Sequence, residues 1–353
     1  MRRALPVLLV VLAVVGPFVG LGRRDLWAPD EADHATAARE LLVDGRWAVP
    51  TIAGETFAEK PPLQVWLIVL SAKLRGTDVD AFDARVPSAI GSALLVLATY
   101  VLGFQCRGRK KTAALAALVA ATTSEVFLRA RWCQVDGLFA GLFAWAAVGG
   151  VHLATPSRLY LDDRYFRLGN GTASVLTGIA LGLAVLTKGP LAIALLGAAL
   201  IGHVLVVPSH RRECLRAAIR YGPVVLGLAI AIAIPWYLTI ASRDSQGLWR
   251  ALVYENLGRL TDSQSHRQPP WYYLGTFWTT FAPASLLAIP AFAWVFRATR
   301  GSVGGAADHD TVRGCAGAFL GGFVLLSIAS SKQGKYLLPL APYLAVLVAE
   351  FAT

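Results

Sequence analysis

Asp30, Glu31 and Asp33 fall within four residues, with His34 beside them, in the stretch PDEADHATAARE at 29–40. Carboxylates this close can orient an acceptor or take its proton. The same spacing suits a helix N-terminus, with Asp30 as N-cap, where acids meet free N–H groups and the positive end of the dipole. Further on, FAEKPP sets Glu59 and Lys60 before two prolines that stiffen the backbone. Lys60 is then either a positioned ammonium suited to a phosphate or a snorkelling lysine. Asp136 follows in RARWCQVD, with Arg129 and Arg131 as its expected ion-pair partners. Lys188, the sole charge of LTKGPLA, reads as an anion ligand or a topogenic charge. His266, in SHRQPPWYY, reads as a metal ligand or a structural histidine. SSKQGKYLLPLAP at 330–342 brings Lys332, Lys335 and Tyr336 together in a second anion-friendly stretch.

The elements that must position these residues are apolar. The 353-residue chain is 56% hydrophobic, where a soluble domain is roughly 45–50% apolar. Its apolar residues come in runs near the length of about 20 that a spanning helix needs. Ten spans are expected, at 4–21, 86–105, 112–128, 134–154, 172–187, 189–207, 221–241, 274–296, 314–330 and 336–352. MRRALPVLLV reads as a retained signal-anchor. With Arg2 and Arg3 inside, alternation puts the basic CRGRKK at 106–111 inside, as the positive-inside rule prefers. PDEAD, FAEKPP, Asp136, TKGP, the His266 region and SKQGK then all map to the outer face, as one polar site assembled from distant loops. The net charge of +11 is accounted for by loop lysines and arginines, and no nucleic-acid motif accompanies it, so nucleic acid is excluded as a partner.

The first outer segment, 22–85, is too long for a plain connection. Residues 30–43 read as a helix stopped by Gly45, with an apolar stripe of Ala35, Ala38, Leu41 and Leu42. Residues 62–75 are apolar but too short to span. Both read as interfacial helices lying on the bilayer. RGSVGGAADHD at 300–310 reads as a flexible linker. Cys106, Cys133, Cys214 and Cys315 are too scattered for a disulfide framework or a thiolate metal site.

The ordered set Pro29-Asp30-Glu31, Arg39-Glu40, Gly45-x-Trp47-x-x-Pro50, Gly54 and Glu59-Lys60-Pro61-Pro62 resembles the first outer loop of a known family. That family comprises the aminoarabinose-transferase and protein O-mannosyltransferase-like membrane glycosyltransferases of the C-type fold. The resemblance continues through Asp136, LTKGPL, His266 before RQPPWYY, and KYLLPLAPYLA. It implies an all-α polytopic membrane protein, with residues 1–353 forming a single transmembrane glycosyltransferase domain. It also implies inverting transfer of a sugar from a polyprenyl-phosphate carrier to a glycolipid or protein acceptor, in the plasma (inner) membrane, with the site facing the periplasm or exterior. Asp30 becomes the catalytic carboxylate, assisted by Glu31 and Asp136. Lys60, Lys335 and Tyr336 hold the donor phosphate, and Arg39, Arg131 and Lys188 complete the substrate-binding set. Some members bind a divalent metal cation near the positions of Glu59 and His266.

Two departures stand out. Aminoarabinose-transferring members commonly have Arg-Tyr where this chain has Asp33 and His34, which leaves the sugar and the acceptor open. Family members usually continue past the LLPLAP span into more helices and an outer C-terminal domain, which is expected to be absent from this chain. The rival readings are a protein O-mannosyltransferase-like enzyme with a Ser/Thr acceptor, a polytopic transporter, and an inactive truncated homologue. Transporters bind substrate at mid-membrane, and no expected span carries a charge near its midpoint.

Overall fold

A computed structural model describes residues 5–155, 168–243, 266–298 and 306–353, with positions 249 and 252. In chain order the helices are α1 (Leu5–Val15), α2 (Asp30–Asp44), α3 (Leu63–Arg75), α4 (Ala81–Arg107), α5 (Lys110–Thr122), α6 (Ser124–Arg129), α7 (Val135–Ala154), α8 (Asn170–Lys188), α9 (Leu191–Val206), α10 (Arg211–Arg243), α11 (Tyr272–Thr280), α12 (Ala288–Ala298), α13 (Ala306–Ile328) and α14 (Ala341–Phe351). A 3-10 turn over Gly334–Leu340 leads into α14. A two-stranded hairpin, β1 (Thr51–Ile52) with β2 (Glu55–Thr56), lies between α2 and α3.

Among the described residues, six helices are long and apolar enough to cross a membrane, and a bent pair makes a seventh. The chain is therefore an integral membrane protein, but the expected count of ten spans is not confirmed. The expected span 112–128 is two helices, because Thr122 and Thr123 turn their hydroxyls back onto the carbonyls of Leu118 and Val119 and the Ser124 amide leaves to donate to Ala282 O at 2.8 Å. The expected span 274–296 breaks where Pro283 interrupts the amide ladder, and its halves meet at 113°. The helix in 189–207 has only 16 residues, about 24 Å at 1.5 Å per residue, short of a hydrocarbon core about 30 Å thick. Residues 306–310 of the expected linker begin α13, and the rest of that linker lies outside the described residues.

The core is built by close helix crossings. α4 packs on α7, α7 on α8, α8 on α10, and α9 on α13. At the α4–α7 crossing a Cβ on Gly91 would stand 2.3 Å from Gly137 O, and one on Gly141 would stand 2.0 Å from Gly91 O. The α9–α13 crossing repeats this with Gly202, Gly317 and Gly321. Small residues let helix backbones touch, the usual device of helix pairs in lipid.

α2 and α3 form as expected. Gly45 ends α2 at φ 68° and Gly76 ends α3 at φ 68°, each a left-handed cap. They pack on each other through their apolar sides. Ala35, Ala38 and Leu41 of α2 bury against Val65, Ile68, Val69 and Ala72 of α3, in a small second core that reaches Ala84 and Cys133. Arg75 pairs with Asp80 and Asp83 at 2.9 and 2.8 Å, and Ser71 donates to Asp83 at 2.6 Å. These bonds fasten α3 to the head of α4, where Asp80 forms a capping box with Asp83.

Candidate active site

The heads of α2, α7 and the 334–340 turn converge with the end of α8. Asp30 is the first residue of α2, and Pro29, not Asp30, occupies the N-cap. Its carboxylate is thus released from capping. Lys335 Nζ stands 3.8 Å from Asp30 Oδ2 and 3.6 Å from Asp136 Oδ2. Lys188, the last residue of α8, donates to Asp136 Oδ1 at 2.5 Å. The same ammonium lies 4.2 Å over the Tyr336 ring and 5.5 Å from the Phe139 ring. Asp30, Asp136, Lys188, Lys335 and Tyr336 are therefore brought together as the sequence suggests. The pairing differs: Asp136 is met by the two lysines, not by Arg129 and Arg131. Residues 130–134 leave α6 by a turn that sends Arg131 away from Asp136, while Arg129 stays at the head of α7 on the side chain of its N-cap residue, Gln134. Arg129 bonds Glu125 and Gln134, each at 2.6 Å. Arg131 donates to Gly16 O at 2.8 Å and lies 4.3 Å over the Phe127 ring, which ties it to the chain just beyond α1.

Glu31 also has another task than the expected one. It is fully buried and takes hydrogen bonds from Arg85 at 2.8 and 2.9 Å and from Arg24 at 2.9 and 3.2 Å. The amides of Trp27 and Cys133 add bonds at 3.0 and 2.9 Å. Burial alone would raise its pKa, but the Arg85 bonds and the two amides outweigh this and hold the carboxyl at about 2. With both oxygens saturated, Glu31 fixes the floor of the site and has no lone pair to offer an acceptor. Arg85 spends its other donors on the carbonyls of Leu21, Arg24 and Asp25. The Arg39 guanidinium clamps Val79 O at 3.1 and 2.9 Å. Glu40 staples the hairpin through Thr51 Oγ1 at 2.6 Å and Ala53 N at 2.5 Å.

Lys60 is half-buried and its ammonium bonds the Glu59 carbonyl at 3.3 Å. His34, one turn beyond Asp30, is buried and its Nδ1 lacks a hydrogen-bond partner. Burial pushes its pKa down to about 4 against the pull of Asp30, with Lys60 acting in the same direction as burial. The imidazole is thus neutral at pH 7, within electrostatic reach of Asp30, Asp136, Lys60 and Lys335. Lys332 is not part of the anion-friendly stretch. It is buried, with its ammonium on the carbonyls of Gln268 and Ala329. Glu59 and His266 are both exposed, and among the described residues no three His, Cys, Asp or Glu side chains gather that could hold a metal ion. All four cysteines are free.

Sequence reasoning missed Arg85, Gln134 and the hairpin. The signal for the hairpin is TIAGET, whose central Ala53 and Gly54 adopt φ 53° and 79°, as a two-residue turn of the primed type requires. Arg85 and Gln134 carry no comparable signal.

The family model for dolichyl-phosphate-mannose-protein mannosyltransferase matches residues 7–245. An undecaprenyl phosphate-alpha-4-amino-4-deoxy-L-arabinose arabinosyl transferase of Pseudomonas fluorescens is 30% identical over 295 residues, covering 81% of this chain and 50% of its own. A protein of that name from Serratia proteamaculans is 29% identical over 98% of this chain and 59% of its own. The chain thus spans about half to three-fifths of the length of the curated relatives it matches. The crystal structure of ArnT from Cupriavidus metallidurans bound to undecaprenyl phosphate superposes with a TM-score of 0.81 at 23% identity, covering 98% of this chain and 59% of that one. The Archaeoglobus fulgidus oligosaccharyltransferase in its apo form superposes at 0.61 and 14% identity, covering 98% and 50%. These likenesses show a common fold.

Proposed function

The chain belongs to the dolichyl-phosphate-mannose-protein mannosyltransferase family, and we propose that it is a membrane glycosyltransferase that moves a sugar from a polyprenyl-phosphate carrier to a lipid or protein acceptor. The observation that carries this reading is the shared ammonium: Lys335 stands between Asp30 and Asp136, with Lys188 on the far side of Asp136. Two cations beside two acids suit a reaction in which a phosphate arrives and leaves while an acceptor is oriented next to it. As the acceptor oxygen bonds to the anomeric carbon, the bond from that carbon to the phosphate oxygen breaks, and the electron pair leaves with the phosphate. Attack from the face opposite the phosphate inverts the anomeric centre. Lys335 and Lys188 offset the charge that builds on the leaving group, with Lys60 at the margin, and they are fixed in place before reaction. Asp30 orients the acceptor and takes its proton where the acceptor is a hydroxyl.

The name of the relatives favours a polyprenyl carrier of bacterial type and an aminopentose, within the plasma membrane and with the site on the non-cytoplasmic side. The test is turnover of undecaprenyl phosphate-linked 4-amino-4-deoxy-L-arabinose and of dolichyl-phosphate-mannose by the purified full-length protein. Wild type should release or transfer sugar from at least one donor. Asp30→Asn should lower turnover by about 100-fold or more while the protein remains folded. Near-normal turnover by that variant would remove Asp30 from the catalytic role.

A further inference from the structure

Asp30 Oδ2 is engaged twice. It accepts the side-chain amide of Gln134 and lies 3.8 Å from Lys335 Nζ. The Gln134 amide cannot turn round to present its oxygen, because Oε1 accepts from Arg129 Nη1 at 2.6 Å. Arg129 is itself fixed by Glu125 at 2.6 Å through its Nε. An amide whose oxygen faces a guanidinium must offer its NH2 group on the other side. The backbone of Gln134 is held as well: Ser88 Oγ donates to its carbonyl at 3.0 Å and accepts from its amide at 3.4 Å. The preceding amide, Cys133 N, is bound to Glu31 at 2.9 Å. The Asp30 side chain keeps 48% of its surface open, and among the described residues Oδ1 has no hydrogen bond or ion pair.

We propose that Gln134 and Arg129 are positioning residues that select the working oxygen of Asp30: the Gln134 amide fixes Oδ2 beside Lys335, and Oδ1 is turned outward to meet the acceptor. This rests on the glycosyl-transfer reading above. A carboxylate free to rotate spreads its lone pairs over many directions, and one held by an oriented amide does not. For an acceptor O–H, Oδ1 takes the proton as the acceptor oxygen bonds to the anomeric carbon. The bond from that carbon to the phosphate oxygen breaks in the same step, its electron pair leaving with the carrier.

The experiment measures sugar release from undecaprenyl phosphate-linked 4-amino-4-deoxy-L-arabinose and from dolichyl-phosphate-mannose, with water as acceptor and the full-length protein as enzyme. Gln134→Met should lower kcat by about 10-fold or more while the donor KM stays within about threefold. Arg129→Met should do the same, and the double variant should be no worse than Gln134→Met, because both act along one path. Gln134→Glu keeps the shape but sets a carboxylate against Asp30. Its loss should be deeper, and part of the activity should return as the pH is lowered and the introduced carboxyl becomes a donor. If Gln134→Met fails to fold, Arg129→Met and the isosteric Gln134→Glu carry the test. Additive losses, a change confined to KM, or wild-type behaviour of Gln134→Glu overturns the proposal. Release from neither donor by wild type overturns the glycosyl-transfer reading beneath it as well, so the two failures are distinguishable.

Discussion

Asp30 and Asp136, one at the head of α2 and the other at the head of the buried helix α7, meet through a single ammonium, Lys335, at 3.8 and 3.6 Å. Each carboxylate has a second partner of its own, Gln134 for Asp30 and Lys188 for Asp136. A phosphate approaching Lys335 competes with both acids for one cation.

That competition predicts a difference between two nearby lysines. Lys335→Met should weaken undecaprenyl phosphate binding by about 10- to 150-fold, the value of one charge-assisted contact. Lys332→Met should leave carrier affinity nearly unchanged and lower thermal stability, because its ammonium serves backbone carbonyls. Titrating carrier into both variants in detergent checks this, and equal affinities would detach Lys335 from the phosphate.

Acid should destabilise the protein in two stages. His34 has a folded pKa depressed from 6.5 to about 4, so the unfolded chain binds its proton first and stability falls as pH drops from about 6.5 towards 4. Glu31 has a folded pKa depressed from 4.5 to about 2. Its contribution is fully present above about 4.5 and is lost as pH falls towards 2. Melting temperature against pH should show His34→Phe shrinking the first stage, while Glu31→Gln should already be unstable at pH 7 because Arg85 is left buried without its counter-charge.

Gly91→Ala should damage the α4–α7 crossing, since its Cβ would lie 2.4 Å from Leu138 Cα and 2.3 Å from Gly137 O. Backbone cannot yield as a side-chain tip can, and overpacking costs about 1–3 kcal/mol or more. A lower melting temperature is expected. Turnover should fall too, because Asp136 precedes Gly137 directly. Gly197→Ala, where nothing stands within 4 Å of a Cβ, is the matched control.

Sidedness gives a further check. A cysteine at the exposed hairpin position Glu55 should react with an impermeant reagent from outside, and one at Arg109 should not. The reverse labelling would place the acid cluster on the cytoplasmic side and remove the proposed orientation.

Much of the fold was legible because apolar runs and left-handed glycines are local signals. The helices of the first outer segment ended at Gly45 and Gly76 for that reason. Broken spans were not legible, because a helix bent at Pro283 has the same composition as a straight one. In the site, Asp30, Asp136, Lys188, Lys335 and Tyr336 stood out through charge or motif. Their pairing did not, because Asp136 takes a partner 52 residues away in preference to the arginines a few residues before it. Glu31 looked like a second catalytic acid only while Arg85, 54 residues on, was out of view. Gln134 was invisible for a plainer reason: an uncharged amide gains its meaning from the two groups on either side of it.

Residues 266–268 and 330–332 are laced together. The Lys332 amide donates to His266 O at 3.0 Å, the Gln268 amide to Ser330 O at 3.0 Å, and the Lys332 ammonium to Gln268 O at 2.9 Å. Lys335 follows three residues later, where a 3-10 turn leaves little slack. Tied at three points, the two segments form one clasp, so the stretch that leads into the Lys335 turn is anchored to a distant part of the chain and not only to its neighbours in sequence.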